Sequence, residues 1–378
     1  MSQRLRLVCV MVGDVHRQSD MQIKYGGLLD SLSRQFDLVD VFDASLRGFD
    51  RYWNAIQTFH PRRKRWKERF FKNVQAFKMR SIRVVDYLSA MQGHVDLVLQ
   101  IGATFDSAWG GSKLPVVVYT DNTTHITARS TDESRFPFSK SGLISWLALE
   151  GQIYNHAVHI CVRSDMVRRS LLHDYKIPES RITVVGGGVN FSSLPTVDVN
   201  KSSSAPTVLF IGQNFHRKGG DLVLRAFAQA RIHVPEAKLY CVTEDIIPEG
   251  LPLEGVKLIP LTWDRNFVVS LYRQADVLVL PSRHETWGDV LLEAMSFGIP
   301  CIGVTGQAME EIVRPNETGI LVPPENVDAL REALTRLLSQ PDLRNRMGET
   351  ARLLVGDEFT WDRVVGRLAV AIQKNVTC

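Results

Sequence analysis

The chain has 378 residues, 44% of them hydrophobic, and 45 Lys/Arg against 41 Asp/Glu give a net charge of +4. This is an ordinary soluble globular composition, with length for two domains rather than one or three, and the small net charge says little about partners. No apolar stretch reaches the ~18 to 20 residues of a membrane span and the start, MSQRLRLVCVMVGD, carries no signal-peptide cleavage pattern, so the expectation is a cytoplasmic protein.

Short β-branched runs alternate with amphipathic stretches of helical length in both halves, the pattern of βα units that pack helices on both faces of a parallel sheet. In the first half, strands are predicted at Leu5–Met11, Leu38–Phe42, Val95–Ile101, Pro115–Asp121, His159–Arg163 and Arg181–Val185. The second half repeats the pattern at Thr207–Gly212, Ala237–Val242, Val256–Leu261, Asp276–Pro281, Pro300–Val304 and Gly319–Val322. Two sheets follow. The polar, Ser-rich stretch Ser192–Ala205 has the composition of a linker and sets domains at 1–196 and 204–356. Three successive helices are predicted at Asn326–Ser339, Pro341–Val355 and Thr360–Lys374, the last with an apolar face that must pack on something. Cys9, Cys161, Cys241, Cys301 and Cys378 are scattered without metal-ligand spacing, and four lie in apolar strand-like runs as reduced core residues do.

The first βα loop, Gly13–Ser19, carries Asp14 and His16 as acceptor contacts, while Gly26 and Gly27 come late enough to fall in the first helix. From Phe59 to Arg83 the chain is basic and aromatic, with ten Lys/Arg between Arg62 and Arg83 against the single acid Glu68. Three readings stay open: a solvated helix face, a peripheral patch for anionic membrane on its inner face, or a site for a phosphorylated lipid or glycan acceptor. Nucleic acid is not indicated, because no recognised binding fold accompanies the run. Further on, Asp121 and His125 follow a buried strand, where ligands of open α/β sheets bind.

The second half carries the clearest chemistry. In FIGQNFHRKGGDLVLRAF, Phe210–Phe227, a strand ends at Gly212, a loop presents Arg217 and Lys218, and Gly219–Gly220 open a helix. Two cations beside a helix start suit a diphosphate and its departure as a leaving group. In DVLVLPSRHETWGDVLLEA, Asp276–Ala294, a buried strand runs into a loop, and Gly288 turns the chain into a helix from Asp289 and Val290. Glu285 precedes that helix and Glu293 lies one turn inside it, so one suits sugar hydroxyls and the other ribose hydroxyls. Spacing alone is not informative, since Glu236/Glu244 and Glu317/Glu325 are also eight apart; the strand–loop–glycine–helix context is.

With that context, the stretch resembles the family 4 retaining glycosyltransferases of GT-B fold, whose signature E-G-[FW]-G-x(4)-E follows a P-S dipeptide; here Thr286 replaces the first glycine. Phe210–Phe227 resembles the same family's G-R-x(4,5)-K-G segment, with Gln213 at the arginine position, and RITVVGGGVN (Arg181–Asn190) resembles its V-x-x-x-G-V-N turn. Phe359–Trp361 resembles its F-[ST]-W helix start.

The resemblance implies two Rossmann-like doubly wound domains facing a cleft, the 357–378 helix returning to the first, and a retaining hexosyltransferase of polysaccharide biosynthesis. Its donor is a nucleotide-diphosphate sugar and its acceptor a glycan, a lipid-linked or a small molecule. On this reading Lys218, Glu285, Asp121 and His125 are catalytic. Gly212, Arg217, Gly288, Asp289, Val290 and Glu293 bind the donor, with Pro260 and Leu261 at the base. No D-x-D, G-x-G-x-x-G or P-loop motif occurs, which argues against a metal-held diphosphate, a nicotinamide cofactor and a P-loop ATPase. No cofactor or metal is therefore expected. The alternatives are a sugar-nucleotide epimerase on the same architecture and a non-catalytic carbohydrate-binding relic.

Overall fold

A computed structural model describes residues 4–111, 113–130, 137–191, 193–196 and 205–376. The chain forms two compact units, Met1–Gly186 with Val364–Cys378, and Gly187–Arg363. The Ser-rich stretch lies for the most part outside the described residues, as does Cys378.

In chain order the first unit contains β1 (Arg6–Met11), α1 (Ser19–Gln35), β2 (Asp37–Asp43), α2 (Gly48–Gln57), α3 (Arg63–Phe71), α4 (Val74–Ala90), β3 (Leu97–Ile101) and β4 (Val116–Thr120). It continues with α5 (Thr124–Arg129), α6 (Lys140–His156), β5 (His159–Val162), α7 (Asp165–His173) and β6 (Ile182–Val184). Its sheet is parallel throughout, in the order β2-β1-β3-β4-β5-β6. Strands β3, β4 and β5 are buried along their whole length, which is why they read as unbroken apolar runs rather than alternating ones. The edge strand β2 carries an aspartate at every third position, Asp37, Asp40 and Asp43, and none of it is fully buried.

The second unit contains β7 (Thr207–Ile211), α8 (Gly220–Ala230), β8 (Lys238–Thr243), β9 (Val256–Pro260), α9 (Arg265–Gln274), β10 (Val277–Val279), α10 (Asp289–Ser296), β11 (Cys301–Val304), β12 (Gly319–Val322), α11 (Val327–Ser339) and α12 (Pro341–Glu358). The final helix α13 (Trp361–Val376) begins in this unit and belongs to the first from Val364 onward. The second sheet is also parallel, in the order β12-β11-β10-β7-β8-β9. Chain order reverses direction between β1 and β3 in one sheet and between β7 and β10 in the other. Right-handed crossovers on either side of such a reversal place helices on opposite faces and leave a crevice at the strands' carboxyl ends.

All twelve predicted strands are present, and Gly26 and Gly27 do lie inside α1. Of Gly186–Gly188 only Gly186 has a positive φ, +81°, whereas Gly188 is needed for room, because a Cβ there would sit 2.5 Å from the Trp361 ring. The basic segment splits. Phe77 and Arg80 are buried, Arg80 donates to the Phe71 carbonyl at 2.8 Å, and burial pushes its guanidinium down to about 10. Cys9, Cys161 and Cys241 are buried free thiols, pushed up to about 12 by burial. Among the described residues no helix is long and apolar enough to cross a membrane.

Candidate active site

The β7/β10 reversal brings together two loops that are 67 residues apart in sequence. Strand β7 leads to Gly212 and the loop carrying Arg217 and Lys218, and β10 leads to Ser282–Gly288. Gly219, at φ +76°, opens α8, and a Cβ on it would come within 2.2 Å of the Pro281 carbonyl oxygen. The β10 loop therefore lies directly against the start of α8, an approach only glycine allows. Gly212 has a similar role, since its Cβ would lie 2.8 Å from Lys218 Cβ.

Across this junction the Lys218 ammonium donates to Glu285 Oε2, and both side chains are largely buried, at 14% and 11% exposure. Ser282 Oγ is 3.4 Å from the same oxygen, while the Glu285 amide donates to Gln307 Oε1 at 3.0 Å. Glu285 is thus fixed at both backbone and carboxylate. Arg217, expected beside Lys218 as a second phosphate cation, is buried: its Nη1 donates to the His284 carbonyl at 2.8 Å and its amide to Asn214 Oδ1 at 3.0 Å. It ties one loop to the other. Arg283 reinforces the tie through a bidentate pair with Asp221 at 2.7 and 2.9 Å and a bond to the His216 carbonyl. Burial acts to raise the Asp221 carboxyl, but the Arg283 hydrogen bonds and charge outweigh it and hold the group below its ordinary value.

Helix α10 starts at Gly288, φ +120°, with no side-chain cap, followed by Asp289 and Val290. Its first turn thus brings the amides of Asp289 and Val290 and the positive end of the helix dipole to the end of β10. Glu293, one turn in, is buried, with Oε1 3.0 Å from Arg265 Nη1 and Oε2 accepting from Tyr272 Oη at 2.8 Å. Burial raises its carboxyl above the ordinary range, with Arg265 and Tyr272 opposing. Arg265 also donates to the Asn190 carbonyl at 2.6 Å and lies 3.9 Å over the Phe191 ring. Pro260, which is exposed, ends the sheet's edge strand β9, and Leu261 follows it.

In the first unit, a cavity of about 190 Å³ opens at the carboxyl ends of β3 and β4. Asp121, Asn122, Thr124, Lys72, Trp146 and Glu150 are among its walls. Asp121 lies 3.8 Å from Lys24 Nζ. His125 does not line this cavity; its ring packs edge-on to Tyr175, 5.1 Å between centroids. Asn122 Nδ2 donates to Thr127 Oγ1 at 2.7 Å, leaving a buried Oδ1 without a partner among the described residues. Glu150 accepts from the Thr124 amide, Tyr154 Oη and Tyr175 Oη at 3.1, 3.0 and 2.6 Å, and burial raises its carboxyl despite these bonds. In the first βα loop Asp14 accepts from the His16 amide at 3.0 Å and pairs with Arg17 at 3.7 Å, and His16 is exposed.

Sequence reasoning missed Glu150, Asn122 and the two partners of Glu293, Arg265 and Tyr272. Only Glu150 left a signal. It shares the helical face of Trp146, Ile153 and Tyr154, and a carboxylate on a buried apolar face requires dedicated hydrogen-bond donors.

Two parallel six-stranded sheets, each with one reversal of chain order, define a GT-B fold. Residues 197–354, less than half of the chain, match the family model of glycosyl transferases group 1. Among curated relatives, an uncharacterized glycosyltransferase of Methanocaldococcus jannaschii is 26% identical over 219 residues, 53% of this chain and 56% of that protein. The D-inositol 3-phosphate glycosyltransferase of Kribbella flavida is 24% identical over 294 residues, 72% of this chain and 68% of its own length. The chain therefore spans about half to two thirds of these relatives' lengths. Among solved structures, sucrose-phosphate synthase from Thermosynechococcus elongatus superposes with a TM-score of 0.70 at 19% identity, covering 98% of this chain and 99% of that one. Anabaena HepE in complex with UDP gives 0.63 at 15% identity, covering 98% and 100%.

Proposed function

We propose that the protein moves a sugar from a nucleotide-diphosphate donor to a hydroxyl of a polyhydroxylated acceptor, with retention at the anomeric carbon and without a metal ion. The observation that carries this reading is the buried Lys218–Glu285 pair at the β7/β10 reversal, between two glycine-opened helices. A lysine held there by a carboxylate is pre-oriented toward a diphosphate and needs little reorganisation when the leaving group gains charge. On donor binding, Lys218 exchanges Glu285 for a phosphate oxygen, and Glu285 is released to accept from sugar hydroxyls. The first amides of α10, from Asp289 and Val290, hold a second phosphate oxygen. Glu293, presented through Arg265 and Tyr272, faces the ribose, and the end of β9 at Pro260–Leu261 meets the base. Arg217 braces the two loops instead of touching phosphate.

In the chemical step, the bond from C1 to the phosphate oxygen breaks and its electron pair goes to the departing diphosphate, which Lys218 and the α10 dipole stabilise. The acceptor oxygen then attacks the oxocarbenium-like carbon from the face just vacated. Its proton passes to the leaving phosphate oxygen, so no side-chain base is required. The first-unit cavity supplies acceptor contacts on this reading: Asp121 and the unpartnered Asn122 Oδ1 accept from hydroxyls, and Trp146 offers an apolar wall. The HepE structure contains UDP, which makes uridine diphosphate the first nucleotide to try.

The test is a thermal-shift panel of nucleotide diphosphates and nucleotide sugars, followed by proton NMR of the product. Stabilisation by one diphosphate and an α-linked product from an α-linked donor support the proposal. Epimerisation of the donor with no acceptor present, or an inverted linkage, would replace it.

A further inference from the structure

Helix α2 is built inside out. Its only buried side chain is Asn54, whose Nδ2 donates to the Phe70 carbonyl at 2.9 Å and whose Oδ1 accepts from Asn73 at 3.0 Å. A third bond, Trp66 Nε1 to the Ala55 carbonyl at 3.0 Å, fixes the same side of the helix to α3. At about 100° per residue, Tyr52, Ile56, Phe49 and Trp53 fall within a single arc of roughly 100° on the side opposite Asn54. All four are exposed and, with Phe59 just beyond the helix, they range from 42% to 76%. Phe49 and Trp53 stack at 6.1 Å, so part of this surface is ordered before anything binds it. A helix that buries its amide and presents its aromatics contradicts the rule that places apolar arcs on the core, and such a surface marks an interaction site.

The charge beside it says what kind. From Arg47 to Lys72 there are nine Lys/Arg against Asp50 and Glu68, in a chain whose total is only +4. Helix α3 has no buried residue, and Arg62, Arg63, Lys64, Lys67 and Arg69 are exposed. No charged residue interrupts the apolar arc of α2; the cations lie alongside it on the next helix. Cations segregated from an arc that includes the aliphatic Ile56 match a bilayer, with anionic headgroups above and acyl chains below. A nucleic-acid strand would call for stacking residues interleaved with the cations.

We propose that α2 and α3 form a docking surface for an anionic lipid bilayer, with the α2 arc entering the interface and the α3 cations meeting the headgroups. Two weak signals of different kinds combine to give stable but reversible attachment. The proposal is independent of the transfer reaction, since of these residues only Lys72 walls a candidate binding site, and neither the α2 arc nor Arg62, Arg63 and Lys67 does.

The test uses the full chain and sedimentable vesicles of phosphatidylcholine alone or with about 30 mol% phosphatidylglycerol, at about 0.1 M salt. The expected result is partition into the anionic vesicles at least about tenfold stronger than into neutral ones, lost at high salt. Phe49→Ser/Ile56→Ser should weaken partition by about tenfold or more, and Arg62→Glu/Arg63→Glu/Lys67→Glu by about a hundredfold. Both variants should keep the wild-type melting temperature and its shift with a nucleotide diphosphate, which separates this result from failure of the transfer proposal. Equal binding to both vesicle types, or unchanged binding by either variant, overturns the proposal. So does an absence of vesicle binding by a wild-type protein that self-associates in sedimentation equilibrium and is dispersed by the Phe49→Ser/Ile56→Ser change.

Discussion

Lys218→Ala perturbs the protein in two ways that can be measured apart. The lysine and Glu285 are 14% and 11% exposed, and Ser282 Oγ, at 3.4 Å, is a neutral partner that the carboxylate keeps. Removing one member of a fully buried pair costs ~3–5 kcal/mol; residual solvent access and Ser282 place this site lower, at about 1–3 kcal/mol. The catalytic loss has a different origin. If Lys218 meets charge that develops only as the diphosphate leaves, its removal lowers kcat by ~10²–10³, about 2.7–4 kcal/mol at the transition state. The double variant Lys218→Ala/Glu285→Gln distinguishes the two, because it removes the stranded carboxylate and should recover most of the stability but none of the rate. Urea denaturation gives the first quantity and steady-state transfer the second. A kcat within threefold of wild type in Lys218→Ala, or additive stability effects across the cycle, would refute the assignment.

Gly219→Ala should be severely destabilising, by about 3 kcal/mol or more, because the residue has φ +76° and its Cβ would lie 2.2 Å from the Pro281 carbonyl oxygen. Gly250→Ala, at φ +83° with open space around it, is the control and should cost only about 1 kcal/mol in the same denaturation assay. The Asp221 carboxyl is held low by Arg283, so its contribution to stability is complete above the unfolded value of about 4 and is lost as pH falls through the folded one. Asp221→Asn should accordingly flatten the acid limb of the melting temperature against pH. Glu150 has the opposite sign: its folded value is raised, so its contribution is largest below about 4.3 and is lost as pH rises through the folded value. Glu150→Gln should remove that slope while leaving the acid limb intact. Asn122→Ala should raise KM for the acceptor several-fold with little change in donor binding by calorimetry.

The sequence by itself determined the local architecture. Strands such as Val116–Thr120 and Val277–Val279 are apolar on both faces, and that composition is compatible with little except a central parallel strand. Gly219 and Gly288 announced their helices because a positive φ at a helix start excludes most other residues. Only the tertiary structure decided which of these pieces meet. Lys218 reaches Glu285 because β7 lies beside β10, a pairing set by sheet order that no local pattern encodes. Arg217 and Lys218 are adjacent in sequence, yet one is directed to the His284 carbonyl and the other to Glu285. The α2 pattern shows an apolar arc and a polar one, but periodicity is symmetrical about the helix axis. The Asn54 bonds to Phe70 and Asn73, made across three helices, are what turn the aromatic side outward.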